Sequence, residues 1–516
     1  MVSILWADDE IDYLEPHIRF LEARGYKVVP VNHGAGALEL LQKEDFDLIL
    51  LDENMPGLSG LETLAKVQEG WPHLPVVMVT KSEEDLLIEE AIGSRISDYL
   101  IKPVHPKQLL SAIVKITDHK RLVARKTTAA YREDFGALGM KLSDRLDAAE
   151  WAELYHRLVR WELDLENSGD AGMQEVFALQ KAEANRLFAR FIKKHYETWF
   201  GAASDPSAPI LSHRLLQKKL LPLMDQHPKI LFLVIDNFRL DQFKVIEPVL
   251  GDAYKLLEQE VYYSILPTST EYARNALFAG MPPAEIQRRY PDRWWSDQDE
   301  HSHNQHEDFL VGEWLRRNGR NTGYNYQKIT SLNQAKQMLD QAATGLHQSV
   351  EFLVYNFVDM LSHARSEMNI IKELAEDEAA YRSITRSWLE HSPLLDYLHL
   401  AASKGYVLVL TSDHGMVRVE NPVRISGDRE MSHNLRYKEG RNLQIQDELV
   451  YRIKQPEKVQ LPRKGLNSSY VLATDNQFFC YPNNFHQYAA LYRHSFQHGG
   501  ISLEEVMVPF GVFWSK

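Results

Sequence analysis

Leu48-Ile49-Leu50-Leu51-Asp52-Glu53-Asn54-Met55-Pro56-Gly57 carries four apolar residues into an acid and then into a proline–glycine loop. A strand with no polar face must be covered on both sides, which predicts a parallel sheet between helices. The flanking sequence repeats the pattern. Ser3–Ala7 is a short apolar run ending in Asp8-Asp9-Glu10. Ile11–Arg24 reads as an amphipathic helix closed by Gly25. Tyr26–Val31 is β-branched, and Gly36–Lys43 is helical. After Gly60 a helix runs to Gly70, Val76–Thr80 is another apolar strand, and Asp98–Ile101 leads into Lys102-Pro103. Leu109–Ile116 opens a last helix. The expectation is an α/β unit with its acids at one edge of the sheet.

At that edge Asp8 and Asp9 follow the first strand and Asp52 the third, while Thr80 and Lys102 close the fourth and fifth. Three converging carboxylates repel one another and need a cation. Hard oxygen ligands with room for water favour Mg²⁺. Asp52 is then placed to take a phosphoryl group, with Mg²⁺ and Lys102 offsetting its charge and the Thr80 hydroxyl bonding one oxygen. Together with Tyr99, these residues resemble the receiver domain of two-component response regulators over residues 1–119, a flavodoxin-like parallel sheet. The resemblance implies phosphorylation on Asp52 and a switch through Thr80, Tyr99 and Lys102.

Residues 120–204 change character. They are rich in Ala, Leu, Arg, Glu and Lys and contain no proline. Trp151, Leu154, Leu158, Trp161 and Leu165 recur at helical spacing, as do Phe177, Leu187, Phe188, Phe191 and Ile192. A central helical bundle is expected, with a turn at Asn167–Asp170 and a linker from Gly201 to Pro209. From residue 205 to 516 a second, larger α/β pattern follows.

Composition narrows the possibilities. The 516 residues allow about three domains, and 44% hydrophobic with 25% charged residues is ordinary for a globular chain. One cysteine, Cys480, excludes an intramolecular disulfide. The early acids rule against a secretory signal, and no apolar run nears the ~20 residues of a membrane helix. Acidic residues outnumber basic ones 72 to 58, giving a formal charge of −14. No direct duplex DNA binding over a broad surface is therefore expected.

The C-terminal pattern holds separated acids and imidazoles. Ile230–Ile235 ends at Asp236, Phe352–Phe357 leads to Asp359-x-x-x-His363, and Tyr406–Thr411 leads to Asp413-His414. His498 stands on a glycine loop, His498-Gly499-Gly500. Mixed aspartate and histidine ligation suits Zn²⁺, with Mn²⁺ the next candidate. So many donors are too many for one tetrahedral ion and suit two. Thr268, Ser269 and Thr270, ahead of a helical pattern, offer a hydroxyl that a helix N-terminus and a metal would activate. Two ions could stabilise both attacking and leaving oxygens at phosphorus. The block His433-Asn434-Leu435-Arg436-Tyr437-Lys438 reads as a basic patch for phosphate or as a solvated loop. His301, His303 and His306 fall in a polar stretch and read as solvated rather than ligating; Trp294-Trp295 reads as a lid or a core patch.

These motifs resemble the alkaline phosphatase superfamily and, within it, the PglZ-type domain. The resemblance implies that Asp359, His363 and His498 hold one zinc, and Asp236, Asp413 and His414 the other. Thr270 would be the nucleophile, touching the second metal, and Asn275 a ligand of a phosphate oxygen. A receiver, a helical segment and a PglZ-type domain in one chain resemble response regulators linked to type IX secretion. That implies a cytoplasmic protein with a sensor histidine kinase and an extracytoplasmic-function sigma factor as partners. It also implies a phosphorylation-dependent homodimer and phosphodiesterase activity on an oligonucleotide substrate. Two other readings stay open: a non-catalytic metal-dependent binding module that recruits the sigma factor, and a phosphomonoesterase.

Overall fold

The computed structural model describes residues 2–71, 74–80, 96–201, 208–294, 304–320, 322–367, 375, 377–428, 431–446, 448, 450–463, 465 and 467–516, leaving aside the side chains at 117–125, 343–344 and 363–367. The chain divides into two compact units, one of residues 1–132 with 167–170, the other of residues 133–166 with 171–516.

In the first unit five parallel strands lie in the order Tyr26–Val31, Val2–Ala7, Leu48–Asp52, Val76–Thr80, Asp98–Ile101. Strand alternation splits their side chains into two cores. Ile4, Trp6, Leu48, Leu50 and Val77 pack on one face with Leu109 and Ile113. Leu5, Ala7, Ile49, Leu51, Val76 and Met78 pack on the other with Ala37, Leu41 and Val67. The expected helix at 11–24 is divided, because Pro16 starts a new one: a short 3₁₀ turn over Ile11–Leu14 precedes Glu15–Glu22. Ser59 and Glu62 cap the Gly60–Gly70 helix reciprocally. Gly60 is required there, since a Cβ would stand 2.3 Å from the Asp52 carbonyl oxygen. The last helix runs unbroken from Pro106 to Ser143.

The second unit is built on a six-stranded mixed sheet, Tyr254–Tyr263, Met507–Ser515, Val407–Thr411, Ile230–Ile235, Val350–Tyr355, Tyr324–Ile329. The last four strands are parallel; Met507–Ser515 runs antiparallel to both of its neighbours. Residues 417–497 form small sheets inserted between the third strand and the His498 loop.

Helices Ala148–Ser168 and Ala171–His195 belong to this same unit. Trp151 meets Phe188 edge-on, and Phe188 packs on Tyr263 of the sheet. Polar contacts fix the register. Lys181 Nζ lies 2.9 Å from Glu162, 3.1 Å from Glu378 and 3.0 Å from Glu504. Arg382 bonds Asp241 at 2.8 Å and Glu162 at 3.1 Å. Burying an ion costs several kcal/mol unless partners replace its water, so removing one member of such a network strands the others. No described helix is long and apolar enough to cross a membrane.

Lys181→Met leaves one buried carboxylate, Glu504, and two half-buried ones, Glu162 and Glu378, without their shared cation. It should lower the unfolding free energy of the larger unit by about 3–5 kcal/mol, measured by urea titration of tryptophan fluorescence. A loss under about 1 kcal/mol would mean the network contributes no more than exposed pairs do.

Candidate functional site

The carboxyl edge of the first sheet gathers Asp8, Asp9 and Asp52. One carboxylate oxygen of each lies within 4.8 Å of the others, with Asp8 and Asp52 buried and Asp9 exposed. Lys102 Nζ stands between them, 3.0 Å from Asp8 Oδ2 and 2.6 Å from Asp52 Oδ1. Burial pushes the Asp52 carboxyl above its ordinary pKa; the Lys102 hydrogen bond opposes this and Asp8 adds to it. Thr80 is buried one strand over, and its hydroxyl donates to the Glu53 carboxylate. Tyr99 is 46% exposed. The edge therefore unites the three acids and the lysine, and it holds Thr80 on Glu53.

The carboxyl edge of the second sheet is more deeply buried. Asp236 leaves the Ile230–Ile235 strand and Asp413 follows Val407–Thr411; with His414 they form a fully buried group whose ligand atoms lie within 4.8 Å of one another. Thr270 opens the Thr270–Ala279 helix. Its Oγ1 lies 3.3 Å from Asp236 Oδ1 and 3.0 Å from His414 Nε2. The tautomer of His414 follows from its other nitrogen: Nδ1 lies 3.1 Å from the Gly415 carbonyl and donates to it, leaving a lone pair on Nε2 facing Thr270. Gly415 must be glycine, because a Cβ would stand 2.0 Å from the Glu504 carbonyl oxygen.

The neighbouring hydroxyls do other work. Thr268 Oγ1 donates to Gly500 O at 2.8 Å and accepts from Gly499 N at 3.2 Å, tying down the His498 loop. His498 stacks on His414 with ring centres 4.5 Å apart, and its Nε2 lies 3.9 Å from Asp359 Oδ1. Asp359 also accepts from Asn237 Nδ2 at 3.3 Å. Asp359 starts the Phe357–Glu367 helix, on which His363 lies; the His363 side chain is outside the described ones. Asn275 turns elsewhere, donating to Glu271 O at 2.9 Å and to Asn304 Oδ1 at 3.1 Å.

Two residues were not legible as site members. Arg274, one turn after Thr270, is buried with Nη1 2.5 Å from Asp236 Oδ2 and Nε 2.5 Å from Glu307 Oε1. A guanidinium set between Tyr272, Ala273, Ala276 and Leu277 was the available signal. Burial drives the Asp236 carboxyl up, but Arg274 and His414 outweigh it and hold the group at about 2. Asp413 is raised instead, by burial and by Asp236 beside it. Asn237 holds a left-handed backbone, φ 63°, just after Asp236, and its N–H donates to Asp413 Oδ1 at 3.3 Å. Asparagine tolerates that conformation. The open basic patch at 433–438 is a correction. Arg436 is fully buried, with Nε 3.1 Å from Glu505 Oε1, and Lys438 is buried on Ser432 O at 2.8 Å. Both cations are consumed by protein partners distant from them in sequence or fixed by the local turn. His301, His303 and Trp295 lie outside the described residues. His306 is half-buried beside Arg293, and Trp294 is buried edge-on to Tyr272.

Comparison with known families gives three consecutive matches. Residues 215–512, more than half of the chain, match the BREX system PglZ alkaline phosphatase-like domain. The chain belongs to the PglZ alkaline phosphatase-like family. Residues 4–114 match the response regulator receiver domain, and residues 121–200 the PorX response regulator linker domain. Receiver, linker and PglZ domain in this order match the PorX architecture. Among curated relatives, the transcriptional regulatory protein ZraR of Klebsiella oxytoca is 33% identical over 27% of this chain and 31% of its own. The alginate biosynthesis transcriptional regulatory protein AlgB of Pseudomonas putida is 38% identical over 24% of this chain and 27% of its own. The chain thus spans about a third of the length of the curated relatives it matches. Among solved structures, a receiver domain protein from Clostridium thermocellum is 27% identical, with 24% of this chain and 98% of the other covered and a TM-score of 0.22. Chemotaxis protein CheY4 of Vibrio cholerae is 31% identical, covering 22% and 98%, with a TM-score of 0.21.

Because Asp236 sits at about 2 against an ordinary 3.8, its ionisation stabilises the fold above pH 3.8, and that contribution, about 2 kcal/mol, is lost as pH falls through 2. Arg274→Met should move acid unfolding of the larger unit to higher pH, followed by circular dichroism. An unchanged acid midpoint would show that Arg274 does not hold Asp236 down.

Proposed function

We propose that the chain is a response regulator, phosphorylated on Asp52 by a sensor histidine kinase, whose PglZ domain is a metal-dependent phosphodiesterase acting on oligonucleotides. The observation carrying the enzymatic reading is the Thr270 hydroxyl, seated between Asp236 Oδ1 and the His414 Nε2 lone pair. The donor set fits divalent cations on its own chemistry. Asp413 Oδ2 is fully buried and has no hydrogen-bond partner, and an orphaned carboxylate oxygen costs about 1–3 kcal/mol or more. A cation would supply its missing partner. Asp236, Asp413, His414 and Thr270 would hold one Zn²⁺, and Asp359, His363 and His498 the other; Asp8, Asp9 and Asp52 would hold Mg²⁺. When bound, such ions lower the pKa of a hydroxyl and place positive charge on phosphoryl oxygens.

The chain's own groups do the rest. His414 Nε2 and Asp236 Oδ1 flank the Thr270 hydroxyl and would hold the ion against it, the ion supplying the charge that lowers the hydroxyl's pKa. Arg274 fixes Asp236 in its ionised form. The N-terminal end of the Thr270–Ala279 helix adds its positive dipole beside the hydroxyl. The Thr268 carbonyl, 3.3 Å from His498 Nδ1, orients that ring. Asn275 would bind phosphate oxygen once its hydrogen bond to Asn304 is released. In the receiver, phosphorylation of Asp52 adds negative charge beside Lys102 and recruits the Thr80 hydroxyl from Glu53, with Tyr99 responding. Pairing of two chains would follow. The segments 1–119, 120–204 and 205–516 would act as receiver, helical bundle and effector. With a formal charge of −14, control of type IX secretion genes in the cytoplasm would run through an extracytoplasmic-function sigma factor.

Zinc-loaded wild type should hydrolyse a chromogenic phosphodiester faster than the matching monoester, and Thr270→Ala or Asp359→Ala should lose about 10²-fold or more. Equal rates for wild type and variants would end the enzymatic assignment, and a monoester preference would move it to a phosphomonoesterase. Elemental analysis should find two transition ions per chain. With a small phosphodonor and Mg²⁺, wild type should double its mass by light scattering while Asp52→Ala stays monomeric; identical masses would reject the switch.

A further inference from the structure

The edge strand Tyr324–Ile329 ends beside the Thr270 helix. Ile329 packs into the core with Ile235, Leu353 and Tyr355. Alternation sends Lys328 to the opposite face. That is the face where Phe278 of the Thr270 helix meets Tyr326 and Phe352, with ring centres 5.8 Å and 6.2 Å apart. The Lys328 side chain is 28% exposed, so the ammonium has surrendered much of its water.

Its protein partners do not replace that water well. Nζ stands 3.5 Å from the Asn304 carbonyl and 3.7 Å from Glu307 Oε2. The Glu307 carboxylate is already engaged, by Arg274 Nε at 2.5 Å and by the Tyr326 hydroxyl. Arg274 in turn is committed to Asp236. Lys328 is thus the cation on this flank whose contacts are loose. Burial lowers its pKa, Glu307 opposing and Arg274 adding to the effect, while its charge reaches Asp236 and helps keep that carboxyl ionised. Asn304 also accepts from Asn275, so Lys328, Asn304 and Asn275 form a polar row along the helix that begins at Thr270.

A half-buried ammonium on a flexible stem, held among the described residues at 3.5 Å by the Asn304 carbonyl and at 3.7 Å by Glu307, is chemically matched to an anionic oxygen that arrives from outside. We propose that Lys328 is a substrate-binding residue of the PglZ domain, its ammonium taking a non-bridging oxygen of the phosphoryl group that Thr270 faces. This rests on the phosphoesterase reading. It deepens that reading by placing the substrate's phosphate on the edge-strand side of Thr270, against Asn304, and not against the 433–438 block, whose cations are buried.

The test uses the full chain loaded with zinc. Inorganic phosphate is titrated against the thermal unfolding midpoint to obtain its apparent Kd, and kcat and KM are measured for bis(p-nitrophenyl) phosphate. Lys328→Met should weaken phosphate binding and raise KM by about ten-fold each, and Lys328→Arg should recover most of both. Metal content should match wild type. A merely structural lysine would instead lower the midpoint without phosphate and leave Kd and KM alone; that result overturns the proposal. If Lys328→Met does not fold, Lys328→Gln carries the same comparison. Wild type that binds phosphate through Lys328 but hydrolyses no phosphoester would sink the enzymatic reading and overturn the substrate role, leaving Lys328 a phosphate ligand only. An active wild type whose Lys328 variants bind and turn over equally would do the reverse.

Discussion

Carboxylates buried side by side repel one another, and both sheets of this chain are built around that repulsion. Parallel strands deliver acids to a common edge, where low dielectric strengthens every unscreened charge. Each edge therefore needs a resident cation. Lys102 bridges Asp8 and Asp52 in the first sheet. Arg274 clamps Asp236 in the second, 3.8 Å from Asp413. Burial raises the Asp52 and Asp413 carboxyls, a neighbouring aspartate adds to the effect in each case, and Asp413 Oδ2 is left without a hydrogen-bond partner. The remaining negative charge is what would draw a divalent ion to either edge.

The same need for compensation fixes the central helices. Lys181 and Asn185 of the Ala171–His195 helix both reach Glu504, and Asn185 Oδ1 accepts from Leu503 N at 2.7 Å. The next residue, Glu505, bonds Gly500 N at 2.8 Å and pairs with Arg436. Gly500 adjoins the loop of His498, and its carbonyl holds Thr268. A run of buried hydrogen bonds thus joins the helical segment to the His498 loop and to the segment just ahead of Thr270. The helices are part of the scaffold that aims the site, which is why they cluster with the larger unit.

Much of this was legible in the sequence wherever one element speaks for itself. Leu48–Leu51, Ile230–Ile235 and Val407–Leu410 are apolar on both faces, and the acids at their ends could be placed at a sheet edge from that alone. The edge strand Tyr324–Ile329 and the antiparallel pair Tyr254–Tyr263 and Met507–Ser515 were less legible, because Tyr254–Tyr263 mixes charges with apolar residues on a partly exposed edge. Side-chain partnerships across long sequence separations were also hidden. Arg436 looks solvated in its own decapeptide, and only Glu505, 69 residues on, makes it a core cation. Thr268, Ser269 and Thr270 are alike as text; the fold separates them by what each hydroxyl meets.

That separation argues for opposite roles of the two threonines at the two edges. Thr80 donates to the Glu53 carboxylate, so its hydroxyl proton is engaged on the loop that follows Asp52. Such a group suits bonding an oxygen that another residue carries. Thr270 sits against an ionised carboxylate and an imidazole lone pair, both proton acceptors. That setting underlies its proposed role as the attacking hydroxyl. The contrast lies in the neighbours: of two similar acid-rich edges, one presents its aspartate and the other its threonine for the phosphoryl chemistry proposed above.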